Sequence, residues 1–229
     1  MTTESPTHGW KEFYQRAAQK GFELLWPNET LVRLLKGKYI PGLNRDYAEK
    51  RVLEVGCGNG NNLLFLATLG LELSATEIAD EICEATRQKL QQFGVNAMIK
   101  TGRNRSLPFD SNSFDLLVSW NVIHYEDNET AMREAIAEYA RVLNPGGRFL
   151  LSTTGPEHLI LKDSRTLGGH RYQIGREDDF RKGQVFFYFD APNYVQHYFG
   201  QSFREVMVGR AHDTLFSAVQ DYWIVTGLK

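Results

Sequence analysis

Residues 52–69 read VLEVGCGNGNNLLFLATL, and this stretch decides the fold. Val52 to Val55 is a short apolar run, Gly56, Gly58 and Gly60 follow at alternate positions, and from Asn61 the chain is apolar and helix-forming. The order predicts strand, tight glycine turn and helix, which brings backbone N–H groups and a helix N-terminus close to a bound ligand. It is not the dinucleotide fingerprint G-x-G-x-x-G, which needs glycine where Asn61 stands. Glu54 precedes the first glycine by two residues. A carboxylate there repels a pyrophosphate and suits a ligand with a cationic amine.

Outward from this turn, strands and helices alternate. The pattern predicts a strand near 52–55, helix 61–69, strand 72–76, helix 80–93, strand 95–100, strand 114–119, helix 128–142 and strand 147–153. Such alternation argues for a parallel sheet covered by helices on both faces. Gly70 and Gly94 close two of the helices, and Asn144-Pro145-Gly146-Gly147 separates the long helix from the next strand. Ahead of the core, residues 10–36 carry helical spacing broken by Gly21 and Pro27, which predicts two helices, and Pro41, Gly42 and Asn44 form a connector. Behind it, 156–183 is rich in charge and glycine and reads as an insertion or lid. FFYF (186–189) predicts an extra strand, 191–199 a short helix, and 204–210 with 217–228 a closing hairpin.

The chain has 229 residues and is 42% hydrophobic, enough for a full core, and one α/β unit is expected over 1–229. Its parts are a helical cap (1–45), a ligand-binding core (50–155), the insertion (156–200) and the hairpin (201–229). Its 26 basic and 28 acidic residues nearly cancel, with no like-charge block to hold a polyanion. No apolar run is long enough to span a bilayer, and MTTESPTHGW lacks the basic and apolar regions of a secretory signal. Cys57 and Cys83 suit a reducing compartment, so a cytoplasmic location is expected, with no membrane partner.

Four segments in order resemble the class I S-adenosylmethionine-dependent methyltransferases. They are the E-x-G-x-G-x-G turn (Glu54, Gly56, Gly58, Gly60); Glu77 at the end of LELSATE; Leu107-Pro108-Phe109 with Ser113-Phe114-Asp115; and EAIAEYARVLNPGGRFLLS (134–152). The resemblance covers roughly 50–153. It implies a Rossmann-like, doubly wound, mostly parallel seven-stranded sheet with a C-terminal antiparallel hairpin, and S-adenosylmethionine as cofactor. Glu77 is then the carboxylate toward the ribose hydroxyls, a place that taken alone also fits NAD or a solvated helix-capping acid. The family's adenine-facing aspartate falls on Arg103, which accepts no hydrogen bond. Asn104 or a backbone carbonyl is left to read the adenine. Ser119, Trp120 and Asn121 end the fourth strand, where open α/β sheets bind ligands, and are assigned to the cofactor as well.

Chemistry at the acceptor is read from single residues. His124, after the fourth strand in WNVIHY, is the candidate general base, because imidazole titrates near neutrality; it reads equally as a packing or substrate-orienting side chain. Tyr125 is the neighbouring alternative. The N/D-P-P-Y/F tetrad of amino-methylating enzymes is missing at 119–122. The six histidines show no metal-binding spacing, so no metal is expected. The aromatic residues of 172–199 can wall a small-molecule pocket. Arg165 or Arg171 is a candidate clamp for an anionic acceptor, against the alternative of a solvated charged lid. Tyr14, Arg16 and Trp26 on the cap are placed to meet the cofactor's methionine end or the substrate, or simply to pack. These readings converge on methyl transfer to a small molecule, at oxygen in preference to nitrogen or carbon. An RNA or protein methyltransferase and a non-catalytic cofactor-binding protein are the alternatives. A nucleic-acid partner is disfavoured by the lack of a basic footprint, and the choice between monomer and homodimer stays open.

Overall fold

The computed structural model describes residues 6–19 and 26–229. Helices α1 (Pro6–Gln19) and α2 (Glu29–Lys36) precede strand β1 (Arg51–Val55). Then come α3 (Asn61–Ala67), β2 (Glu72–Glu77), α4 (Asp80–Gln92), β3 (Met98–Thr101), β4 (Phe114–Trp120), α5 (Glu129–Val142) and β5 (Leu143–Thr154). The remainder holds β6 (Arg165–Gly168), β7 (Arg171–Gln173), β8 (Val185–Phe187), α6 (Pro192–Phe199), β9 (Arg204–Leu215) and β10 (Ala218–Leu228).

The helices start where their caps allow. Asn28 and Asn128 accept the Leu31 and Ala131 N–H groups at the heads of α2 and α5, which stabilises each by about 1 kcal/mol. In α5 the buried residues Met132, Ala135, Ile136, Tyr139 and Val142 recur at three- and four-residue intervals and form its inner stripe.

Seven strands pair in the order β3-β2-β1-β4-β5-β10-β9. The first five are parallel, and β10 runs antiparallel between β5 and β9. The chain moves outward from β1 to β3 and then returns to place β4 beside β1. Strand direction of travel therefore reverses between β1 and β4, the topological switch point at which doubly wound sheets open a ligand crevice. Register carries Val55, Thr76 and Ser119 to the same level, so the turns after β1, β2 and β4 meet at one edge.

Side chains alternate along β1. Leu53 and Val55 join the core beneath α5 and α6, with Tyr139, Phe149 and Phe199, while Val52 joins the opposite core with Leu31, Leu63, Leu66 and Leu90. Glu54 consequently points to the α3 face.

Two expectations need revision. The Asn144–Gly147 turn does not separate α5 from its strand; β5 begins at Leu143, and the glycines are absorbed as a register shift against β4. The insertion is also more ordered than its composition suggests. β6, β7 and β8 form a separate three-stranded sheet, turned at Gly169 and His170 (φ 57° and 60°), as a two-residue hairpin requires. Ile160, Ile174 and Phe186 give this sheet a small core of its own, with Tyr125 packed against it. Among the described residues no helix is long and apolar enough to cross a membrane.

Candidate functional site

A cavity of about 660 Å³ opens at the switch point. One end is formed by the turns after β1, β2 and β3. Gly56 and Cys57 N–H both donate to Thr76 O, at 2.9 and 3.0 Å, and this locks the glycine turn to β2. Only glycine fits there. At Gly56 φ is +68° and a Cβ would lie 2.6 Å from Val122 Cγ2, while at Gly58 it would strike the Tyr14 hydroxyl. Gly56 lines the cavity; Gly58 and Gly60 shape the turn beneath it.

Glu77 is buried at this end, each oxygen held by a backbone donor. Oε1 accepts Gly58 N–H at 2.8 Å and Oε2 accepts Ile78 N–H at 2.7 Å. Burial raises its pKa and the two N–H groups pull it back. The carboxylate is thus fixed in direction, with lone pairs left for a ligand. Glu54 does not line the cavity. It lies under the turn, where Oε1 accepts Asn62 Nδ2 at 2.8 Å and Oε2 is buried without a hydrogen-bond partner. Burial pushes its pKa up to about 8. A buried acid oxygen left without a partner calls for one, and a cation seated on the turn would supply it.

Two residues expected at the cofactor carry hydrogen bonds within the protein. Asn104 borders the cavity; its Oδ1 accepts the Tyr139 hydroxyl at 2.7 Å, its Nδ2 donates to Glu126 at 3.0 Å and to Val122 O at 3.4 Å, and one Oδ1 lone pair is left over. Ser119 is fully buried, its hydroxyl 3.0 Å from Tyr139. Both belong to one network, Ser119–Tyr139–Asn104–Glu126–Arg105, which pins α5 to the sheet. Trp120 and Asn121 do line the cavity; Asn121 adopts φ 60° and its backbone N–H donates to Ser152 Oγ at 2.9 Å.

The other end is walled by His124, Tyr125, His158, Arg181 and Tyr222. His124 is buried, and its Nδ1 has no partner. Burial first, then the Arg181 charge and His158, drive its pKa well below the usual imidazole range. A ring so placed is a weaker base than the free imidazole on which its candidacy rests. His158 is likewise lowered, to about 4, mainly by burial. Arg181 is the cation at this end, Arg103 and Arg105 lining the cavity beside the turn after β3. Its Nε and Nη2 hold Asp179 at 2.8 and 2.7 Å, and its Nη1 donates to Tyr125 Oη at 3.3 Å.

Arg165 and Arg171, the expected clamp, stay on the insertion's hairpin. Arg165 donates to Gln173 and Arg171 to the Gly168 and Leu167 carbonyls, and neither lines the cavity. Arg181 was inconspicuous among the charges of 176–182 because only the folded insertion turns it inward. His158 and Tyr222 were equally hidden, being joined across 64 residues.

Helix α1 covers the cavity. Trp10 and Tyr14 line it, Trp10 meets Tyr125 and Phe180 with ring centroids 5.5 and 5.0 Å apart, and Phe13 stacks on Phe180 at 5.1 Å. Lys11 adds an ion pair with Glu81 at 2.7 Å. Tyr14 thus sits where it was expected, whereas Trp26 is 75% exposed and away from the cavity. Arg16 pairs with Glu12 on the exposed side of α1. The described residues contain no cluster of three metal-ligating side chains.

Comparison with known proteins agrees with this geometry. Residues 52–147 match a family model described as a methyltransferase domain. The uncharacterized methyltransferase YcgJ of Bacillus subtilis is 35% identical over 118 residues, which is 51% of this chain and 46% of that protein. A ubiquinone biosynthesis O-methyltransferase of Xanthomonas oryzae is 31% identical over 109 residues, covering 47% and 44%. The chain thus spans about half the length of these relatives. An S-adenosylmethionine-dependent methyltransferase structure from Methanosarcina mazei superposes with a TM-score of 0.69 at 17% identity, over 89% of this chain and 98% of that one.

Proposed function

We propose that this chain, which belongs to the class I S-adenosylmethionine-dependent methyltransferases, transfers a methyl group to an oxygen atom of a small-molecule acceptor. The residues of the switch-point end fit the cofactor. Gly56 and the turn around it leave room for close backbone approach, Glu77 offers a fixed carboxylate to vicinal hydroxyls, and the unpartnered Glu54 oxygen lies beneath the turn where an ammonium would be held. Glu54, Gly56, Gly58, Gly60, Glu77, Trp120 and Asn121 form or support that seat. The adenine edge falls to backbone groups near Gly102 and Arg103 and to the remaining Oδ1 lone pair of Asn104. When bound, S-adenosylmethionine supplies an electrophilic methyl group on a sulfonium.

The chain's own task is positioning and exclusion of water, which supplies much of the rate in a displacement of this kind. Trp10 and Tyr14 on α1 close one side of the cavity, and Tyr125, Arg181 and Tyr222 hold the acceptor on the other. His124 packs and orients the acceptor as a neutral ring. One observation carries the choice of oxygen: the carboxylates among the lining residues are engaged away from the acceptor end. Glu77 is held by Gly58 and Ile78, Glu126 by Asn104 and Arg105, and Asp127 lies exposed beside Asn128. An ammonium acceptor would find no counter-charge at that end. The Xanthomonas relative, named an O-methyltransferase, points the same way.

The test is incubation with methyl-labelled S-adenosylmethionine and fractionated small-molecule extract, followed by identification of the labelled product. An O-methyl product supports the reading. Label found only on nitrogen, on RNA or on protein would replace it.

A further inference from the structure

The hydrogen bonds that fix the two tyrosines of the acceptor end run in one direction. Ile160 N–H donates to His158 Nδ1 at 3.0 Å, so the proton of this neutral imidazole sits on Nε2. Nε2 lies 2.8 Å from Tyr222 Oη and therefore donates to it. Tyr222 Oη thus accepts from His158, and its own proton is the one it has to donate. That proton has only the exposed Gln220 Oε1, at a long 3.3 Å, as a hydrogen-bond partner among the described residues.

Tyr125 repeats the pattern. Its Oη accepts from Arg181 Nη1 at 3.3 Å. Asp179, which does not line the cavity, takes Nε and Nη2 and so fixes the guanidinium plane. Burial keeps both phenols protonated, Tyr125 with a pKa of about 12 and Tyr222 raised in the same sense. Two hydroxyl-bearing side chains and a guanidinium thus line one end of a cavity whose carboxylates are engaged elsewhere.

Resting on the methyltransferase reading above, we propose that this end binds an acceptor oxygen that is already ionised, a carboxylate or an enolate or phenolate, through the Tyr125 and Tyr222 hydroxyls beside Arg181. Such donors favour a negative oxygen over a neutral one. They also remove the need for a base, for which the neutral, buried His124 is poorly suited. The oxyanion's lone pair forms the new C–O bond while the methyl–sulfur bond breaks, and that bond's electron pair stays on sulfur. Anion and sulfonium become a neutral ester or ether and a neutral thioether, with no proton to remove. The acceptor's proton has left to solvent before binding.

Calorimetry on the full chain saturated with S-adenosylhomocysteine tests this with four probes of similar size: benzoate, ionised 4-nitrophenolate, benzyl alcohol and benzylammonium. We expect benzoate or 4-nitrophenolate to bind at least about tenfold more tightly than the alcohol and the ammonium, and the stronger of the two tells carboxylate from phenolate. Tyr125→Phe and Tyr222→Phe, which keep the rings, should each weaken the better anion about tenfold, the usual effect of losing a hydrogen bond to a charged group. Affinity for S-adenosylhomocysteine should stay within about twofold, since neither hydroxyl belongs to the cofactor seat. Equal or tighter binding of the alcohol or the ammonium overturns the proposal. So does unchanged anion affinity in both variants, or no anion binding to the loaded chain. Failure of the wild-type chain to take up S-adenosylhomocysteine at all would instead bring down the methyltransferase reading on which the proposal rests.

Discussion

At the cofactor end of the cavity the groups that meet a ligand come from three short turns, after residues 55, 77 and 101, and much of what they present is backbone. At the acceptor end they are side chains, drawn from α1, the segment after β4, the insertion and β10. The first end is set by where parallel strands stop. The second exists only once distant segments have packed against each other. A backbone-built seat tolerates little change and serves one cofactor; a side-chain-built seat can change its ligand without touching the sheet.

The comparison breaks most visibly at Gly56. Gly56→Val forces a β-branched residue into a left-handed conformation and drives Cβ against Val122. Strain of about 1–3 kcal/mol plus the clash should weaken S-adenosylhomocysteine about 100-fold or more. Calorimetry gives the affinity, and circular dichroism checks that the sheet is intact. A variant that keeps cofactor affinity within threefold would show that the turn is not the seat. Glu77→Ala comes next. It removes the fixed carboxylate and leaves Gly58 and Ile78 N–H unpaired, and should lower affinity about 10- to 100-fold.

This division also explains what could be read before the structure. Glu54, the three glycines and Glu77 stand at intervals set by one strand–turn–helix unit and its neighbour, so spacing alone reveals them. The parallel sheet was legible for the same reason, since strands and helices alternate with short connections, while its strand order came only with the structure. Ser119 misled because strand-end position says nothing about Tyr139, an α5 residue that claims its hydroxyl. Arg165 and Arg171 misled differently. Charge and location near the ligand edge matched a clamp, but antiparallel pairing of β6 with β7 keeps them on the hairpin, and Arg181 turns inward instead. Glu54 was found by its spacing, but its burial under the turn was not foreseeable from the sequence.

Phe180 ties α1 to the insertion and so sharpens the contrast. It stacks on Phe13 and meets Trp10 of α1, while the next residue, Arg181, lies against Tyr125. Phe180→Ala removes two aromatic pairs worth about 0.5–1.5 kcal/mol each and should weaken the better anionic probe about tenfold. Cofactor affinity should fall by a smaller factor, because the Lys11–Glu81 pair and Tyr14 still hold α1 over the turn. If binding of S-adenosylhomocysteine falls further than that of the probe, α1 belongs to the cofactor end.

The smallest expected effect is electrostatic, and here the two ends have opposite signs. Glu54 has a folded pKa of about 8, raised by burial above its unfolded value. Its contribution to stability is complete below the unfolded pKa and is lost as pH rises toward 8. Glu77, raised in the same direction, adds to this trend. His158 and His124 are lowered in the folded state, so their contribution is present above the unfolded imidazole pKa of about 6.5 and is lost as pH falls below it. Between about pH 7.5 and 8 the histidines are nearly neutral in both states, and the acid end is what still titrates. Urea unfolding of the cofactor-free chain should therefore show stability falling with pH in that window, with a slope below the single-proton ceiling of about 1.4 kcal/mol per unit. Glu54→Gln should flatten the slope, as should saturation with S-adenosylhomocysteine, whose ammonium favours the ionised carboxylate. His158→Gln should leave the slope above about pH 7.5 nearly unchanged and alter the limb below it. An identical slope in Glu54→Gln and wild type would show that the buried acid is not what the turn is balanced against.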